Sequence, residues 1–242
     1  MVNKMTDSNN VSFIDKTYEF IISPKTIIYC GYLLLAFYPG LIIIGVIIAN
    51  LFGPDIFLIT TNYISDLGSI NYTPVPILYD LACFFAGILT IPFIYFIEKH
   101  IAPIKKSYND NPPHRWVFRL MGAAYFLNML GSIFYIGVGI FSEDRDFFGM
   151  HTVCSYGAFG GFAIGSIFLG IALIISDQKL LKCPFNYIIG SIGAFLPITV
   201  AIFNLIYGGP LLEWLLLFSI LIWFIPIISA CLTFAKKEIS SN

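Results

Sequence analysis

Charged side chains are scarce in this chain. Asp, Glu, Lys and Arg make up 11% of its 242 residues, where a soluble domain carries about a quarter. That scarcity argues against an ordinary water-soluble fold. The formal net charge of −1 gives no case for nucleic-acid binding. Histidine is equally sparse, with His100, His114 and His151 the three present and no His-Glu-x-x-His helix, so neither a three-histidine zinc site nor a bound cofactor is expected. The five cysteines, Cys30, Cys83, Cys154, Cys183 and Cys231, lack the paired spacing of a disulfide framework or zinc knuckle and read as small buried apolar residues. No connection is long enough for a soluble domain; the longest is Asn50–Pro74. No internal repeat is visible, which weakens an inverted-repeat transporter reading.

What the chain has instead is apolar length. Hydrophobic residues make up 58% of it, gathered into six stretches: Ile27–Ala49, Val75–Ile97, Val117–Ile140, Gly149–Ile175, Tyr187–Tyr207 and Leu211–Phe234. Each is long enough to cross a hydrocarbon core of roughly 30 Å as a helix. The expected fold is all-α, a polytopic membrane bundle of six transmembrane helices. Residues 1–26 form an N-terminal segment, 27–235 the transmembrane domain and 236–242 a tail. The first stretch is too long for a signal-peptide core, so no cleaved leader is expected. An interfacial helix is predicted over Val11–Ile22, with Val11, Ile14, Tyr18 and Ile22 on one face.

Twelve of the thirteen Lys and Arg residues fall on alternate connections. Lys4, Lys16 and Lys25 precede the first stretch. Lys99, Lys105, Lys106, Arg115 and Arg119 lie around the second connection, Lys179 and Lys182 in the fourth, and Lys236 and Lys237 after the sixth. Only Arg145 sits on the other side. By the positive-inside rule both termini are cytoplasmic. Asp55, Asp66, Asp80, Glu143, Asp144, Asp146 and Glu213 then collect at or near the outer side.

Small residues mark close helix approach. The fourth stretch carries Gly157, Gly160, Gly161, Gly165 and Gly170, and the fifth carries Gly190 and Ala194. Without a hydrophobic drive inside lipid, such faces let backbones meet. They suit packing within the bundle, with a homo-oligomer through Gly157, Gly161 and Gly165 as the alternative. Pro39, Pro92, Pro197 and Pro226 fall within stretches and are predicted to kink them.

Five residues carry the candidate chemistry. Ser65 and Asp66 stand in Asn62-Tyr-Ile-Ser-Asp-Leu-Gly-Ser69, either as a functional pair or as caps of a tight turn. Asp80 lies one to two turns inside the second stretch, where an acid is costly unless paired, hydrated or protonated. His151 opens the fourth stretch after Glu143-Asp-Arg-Asp146 and can serve as acid, base or helix cap. Glu213 opens the sixth, where exposed helix N–H groups favour a carboxylate. Asn128 and Asn204 are in-span polar groups expected to bond other helices. The candidate acids and His151 come from different segments but share one expected depth.

Tyr63-Ile-Ser-Asp-Leu-Gly68, Pro74, the Gly139-Ile-Phe-Ser-Glu143 exit, His151 and Glu213 together resemble the prokaryotic six-span proteins of domain-of-unknown-function family 998. The resemblance spans roughly residues 27–235 and implies a fold without an activity. Ile64-Ser65-Asp66, His151 and Glu213-Trp214 are also similar to the layout of the DRAM/Sfk-type family. That similarity implies membrane-lipid homeostasis or remodelling, with Ser65, Asp66, His151 and Glu213 as an outer-leaflet site.

The leading expectation is a protein that holds a membrane lipid or small amphiphile in an outer-side polar pocket. In it Asp66 and Glu213 anchor polar or cationic groups and His151 donates to an anionic oxygen. One alternative is a lipid hydrolase or transferase using His151 with Asp66 or Glu213 and Ser65 as nucleophile. Another is a small-molecule or proton-coupled transporter resting on Asp80, and an assembly role through apolar helix faces is a fourth reading.

Overall fold

The computed structural model of the chain describes residues 13–101, 115–176 and 180–241. Val11, Lys4, Lys105, Lys106, His114 and Lys179 lie outside the described residues. The described residues carry no strand: a short helix α1, Phe13–Ile21, runs ahead of six long ones: α2, Pro24–Phe52; α3, Ile77–Ile101; α4, Arg115–Ile140; α5, Met150–Ile175; α6, Phe185–Tyr207; and α7, Pro210–Ser240. All six are long and apolar enough to cross a membrane, and each contains one predicted stretch almost entire. The chain is thus a multi-pass membrane protein by its helices.

Local chemistry sets several of the boundaries. Ser23 caps α2 by accepting a hydrogen bond from the Thr26 N–H at 3.2 Å, and Pro24 fills the first helical position, where no N–H is needed. The α6–α7 junction is Gly208-Gly209-Pro210, with φ of +64° and +103° at the glycines. Only glycine accepts both angles without cost, so the sharp reversal that aims Glu213 inward depends on them. Of the predicted α1 face, Ile22 is buried and Tyr18 meets Tyr95 edge-on at 5.8 Å, whereas Ile14 is exposed. Pro39, Pro92, Pro197 and Pro226 all lie inside helices.

The six long helices pack as a ring in chain order, closed by α7 against α2, and α6 rests on α5 and α7. Glycines set close helix seams, two of which bear on the site. Between α4 and α5, Gly161 lies against the Gly131 backbone, Gly157 against the Phe134 ring and Gly165 against the Asn128 amide. The predicted small-residue face is therefore occupied within the chain. Asn128 departs from expectation, because its side-chain amide donates to the Ala124 carbonyl one turn back in its own helix at 2.8 Å. That bond satisfies a buried polar group locally, with no partner helix required.

The second seam joins the far half of α5 to the near half of α6, where Gly170 meets Gly190 and Ala194 backbone to backbone. Toward the other end the same two helices stand apart, and the gap between them is the cavity described below. At the opposite end of the bundle, His100 sits against Phe96 and Phe234 with Nε2 at 3.6 Å from Glu238, tying α3 to α7.

Candidate functional site

The connections at residues 53–76, 141–149 and 208–209 meet at one end of the ring and form a hydrogen-bonded cap. Asn50 starts it, donating to the Phe57 carbonyl and accepting from the Phe57 N–H, both at 3.1 Å. Asp66 closes the following turn by accepting the Tyr63 N–H at 2.8 Å. Asp144 accepts from both the Ser69 hydroxyl and the Ile70 N–H at 2.8 Å, pinning the two longer connections together. Trp214, in the first turns of α7, ties that helix to the first connection by donating its indole N–H to the Asn62 carbonyl at 3.0 Å. These bonds satisfy loop backbone that would otherwise be left unpaired at the membrane end.

Under this cap lies a cavity of about 430 Å³. Its polar walls are Ser65 and Tyr63 from the first connection, His151, Thr152, Ser155 and Tyr156 from α5, Asn204 from α6 and Glu213 from α7. Phe159, Ile164, Ile198, Ile202, Leu205 and Leu216 make up the apolar remainder of its wall. One part of the wall is polar and the rest apolar, which suits a ligand with a head and a tail.

His151 is the best-defined member. It is 6% exposed, its backbone N–H donates to Asp146 at 2.7 Å, and its Nδ1 lies 2.6 Å from the Phe141 carbonyl. A carbonyl can only accept, so Nδ1 carries a proton, and in the neutral tautomer this leaves Nε2 as an open lone pair. Nε2 is buried and has no hydrogen-bond partner among the described residues.

Glu213 sits in the first turn of α7 with the Ser65 backbone N–H facing its carboxylate and Asp66 and Glu143 close by. Burial pushes the Asp66 carboxyl above its ordinary range, against the opposing pull of the Tyr63 N–H and the Asn62 side chain. Burial likewise drives Glu143 up to about 7, and the charges of Asp66, Asp144 and Asp146 add to the effect. One Glu143 oxygen has no hydrogen-bond partner among the described residues. Three carboxylates thus crowd one side of the cap, and the single arginine at this end is committed elsewhere: Arg145 pairs with Asp80 at 2.8 Å.

Of the residues predicted from sequence, Ser65, His151 and Glu213 come together on the cavity wall. Asp66 is 4% exposed and serves the Tyr63–Gly68 turn, from which it acts on the cavity by charge. Asp80 is absent from the wall and is held by Arg145. Sequence reading overlooked Glu143 as a site residue, and also Thr152, Ser155 and Tyr156. The position of Ser155 one helical turn from His151 was the available signal. Among the described residues no group of three or more His, Cys, Asp and Glu is placed to hold a metal ion. Cys83, Cys154 and Cys231 are buried and free, Cys30 is half-buried and Cys183 exposed.

A family model described as protein of unknown function (DUF998) matches residues 38–229, covering the ring from α2 to α7 and every residue of the cavity wall. No curated protein and no solved structure matches the chain.

Proposed function

The chain belongs to the DUF998 family, and from its geometry we propose that the cavity beneath the cap holds the head of a membrane lipid or other small amphiphile. The observation that carries this reading is the gradient along one cavity, from Ser65, His151, Asn204 and Glu213 at the cap to Phe159, Ile164, Ile198 and Ile202 below. A water-soluble metabolite gains nothing from the apolar half. A hydrocarbon gains nothing from an unpartnered imidazole and a carboxylate. Burying an amphiphile's polar groups is favourable only if each finds a partner, and these side chains supply them. The distribution of Lys and Arg further supports cytoplasmic termini, which sets the cap at the outer leaflet.

Native mass spectrometry of the protein released from lipid nanodiscs tests the reading. The wild type should retain a discrete amphiphile, and a His151→Ala, Glu213→Gln double variant should lose it while remaining folded. Retention unchanged by the double variant overturns the site.

The open Nε2 of His151 favours one second reading, hydrolysis of a lipid ester. His151 would take a proton from a water adding to the ester carbon and return it to the departing alkoxide. Fatty-acid release that persists in His151→Ala removes this reading and leaves the binding site intact.

A further inference from the structure

We propose that the head held beneath the cap carries a primary ammonium group, an inference that rests on the amphiphile-binding reading above. Two independent features converge on it. The first is charge. The cap end gathers Asp55, Asp66, Asp80, Glu143, Asp144, Asp146 and Glu213, with Arg145 as the one Lys or Arg among the described residues there. Arg145 neutralises Asp80 and so leaves Asp66, Glu143 and Glu213 without a cation beside the cavity. A head bearing net negative charge would meet this acidic cluster in surroundings that screen poorly.

The second feature is hydrogen-bond polarity. With Nδ1 donating to the Phe141 carbonyl, the neutral tautomer of His151 presents Nε2 as an acceptor, and Nε2 is buried without a partner among the described residues. Glu213 offers a further acceptor on the same wall. A ligand group that donates satisfies both of these acceptors. A primary ammonium carries three N–H donors and a positive charge, and it satisfies a lone pair and a carboxylate at once. A quaternary ammonium has the charge without the donors. An alcohol has one donor without the charge. The rings of Tyr63 and Tyr156 on the same wall also favour a cation over their faces.

The experiment compares heads on one tail. Nanodiscs of a single phosphatidylcholine are doped in parallel with hexadecylamine, hexadecyltrimethylammonium, hexadecanol or hexadecanoate at equal mole fraction, and retained ligand is read by native mass spectrometry. Hexadecylamine should be retained about tenfold or more above the other three, the scale of hydrogen bonds to a charged group. Glu213→Gln should erase that preference. Asp55→Asn removes the same charge from an exposed position outside the cavity wall and should leave it intact. Comparable retention of all four heads overturns the ammonium assignment while the amphiphile reading stands. Preference lost equally in Asp55→Asn also overturns it, by reducing it to bulk surface charge. No retention of any doped amphiphile or phospholipid sinks both readings.

Discussion

Arg145 crosses from the connection between α4 and α5 to the second helix of the ring, where its guanidinium meets Asp80 at 2.8 Å. The pair is lopsided, because the Asp80 side chain is 5% exposed and that of Arg145 is 51% exposed. Removing Arg145 strands a buried carboxylate whose other oxygen already lacks a partner among the described residues. Removing the charge of Asp80 leaves an arginine that water can solvate. Arg145→Ala should therefore cost about 2 kcal/mol, well above Asp80→Asn. Thermal unfolding of the two variants in the same detergent checks the order. Equal losses would mean that the pair contributes by packing rather than by charge.

Glu143 gives the protein a pH dependence near neutrality. Burial and the charges of Asp66, Asp144 and Asp146 raise its carboxyl to about 7 in the folded protein, above its ordinary value. A group raised in this way favours the fold at low pH, and that contribution is lost as pH climbs toward the folded value. Stability should thus decline between about pH 5 and pH 8. In Glu143→Gln the decline should be shallower, read as melting temperature against pH. An identical slope in the variant would assign the effect to other groups.

Adjacent glycines should respond in opposite ways. A side chain at Gly161 runs into the Gly131 backbone of α4, whereas one at Gly160 meets open space and lies on the cavity wall. Gly161→Leu should lower stability by about 3 kcal/mol or more through overpacking. Gly160→Leu should keep the melting temperature and abolish ligand retention. Retention that survives Gly160→Leu would place the ligand elsewhere.

A bound ligand should also stabilise the fold. Hexadecylamine added to the protein in detergent is expected to raise the melting temperature by mass action. His151→Ala should blunt that rise, because it removes the acceptor and leaves the glycine seams untouched. A rise of the same size in the variant would point to detergent-like effects of the amine.

The bundle itself was readable in the sequence because bilayer thickness and helical rise leave little freedom. Each predicted stretch lies within or close to one long helix, with ends that extend past it where capping residues such as Ser23 take over. The site was readable only in part. Alternating connections placed Ser65, His151 and Glu213 at one end, and the cavity joins them. Depth alone did not distinguish them from Asp66 and Asp80, which sit at that same end but are spent on a turn and an ion pair. What separates the two groups is where neighbouring helices diverge, and that depends on the Gly170–Gly190 contact far along the chain from any of them. Asn128 illustrates the same limit, since its partner is its own helix and no periodicity announces the choice.

The α5–α6 seam divides its labour along its length. Gly170, Gly190 and Ala194 fix the distance between the two backbones at one end, while Ile164, Ile198, Ile202 and Leu205 shape the hollow at the other. Substitutions at the second set leave the first untouched. Ligand preference can therefore drift across related sequences one side chain at a time, with the architecture insulated from each step. Diversity in such proteins should accumulate at the hollow and stall at the seam.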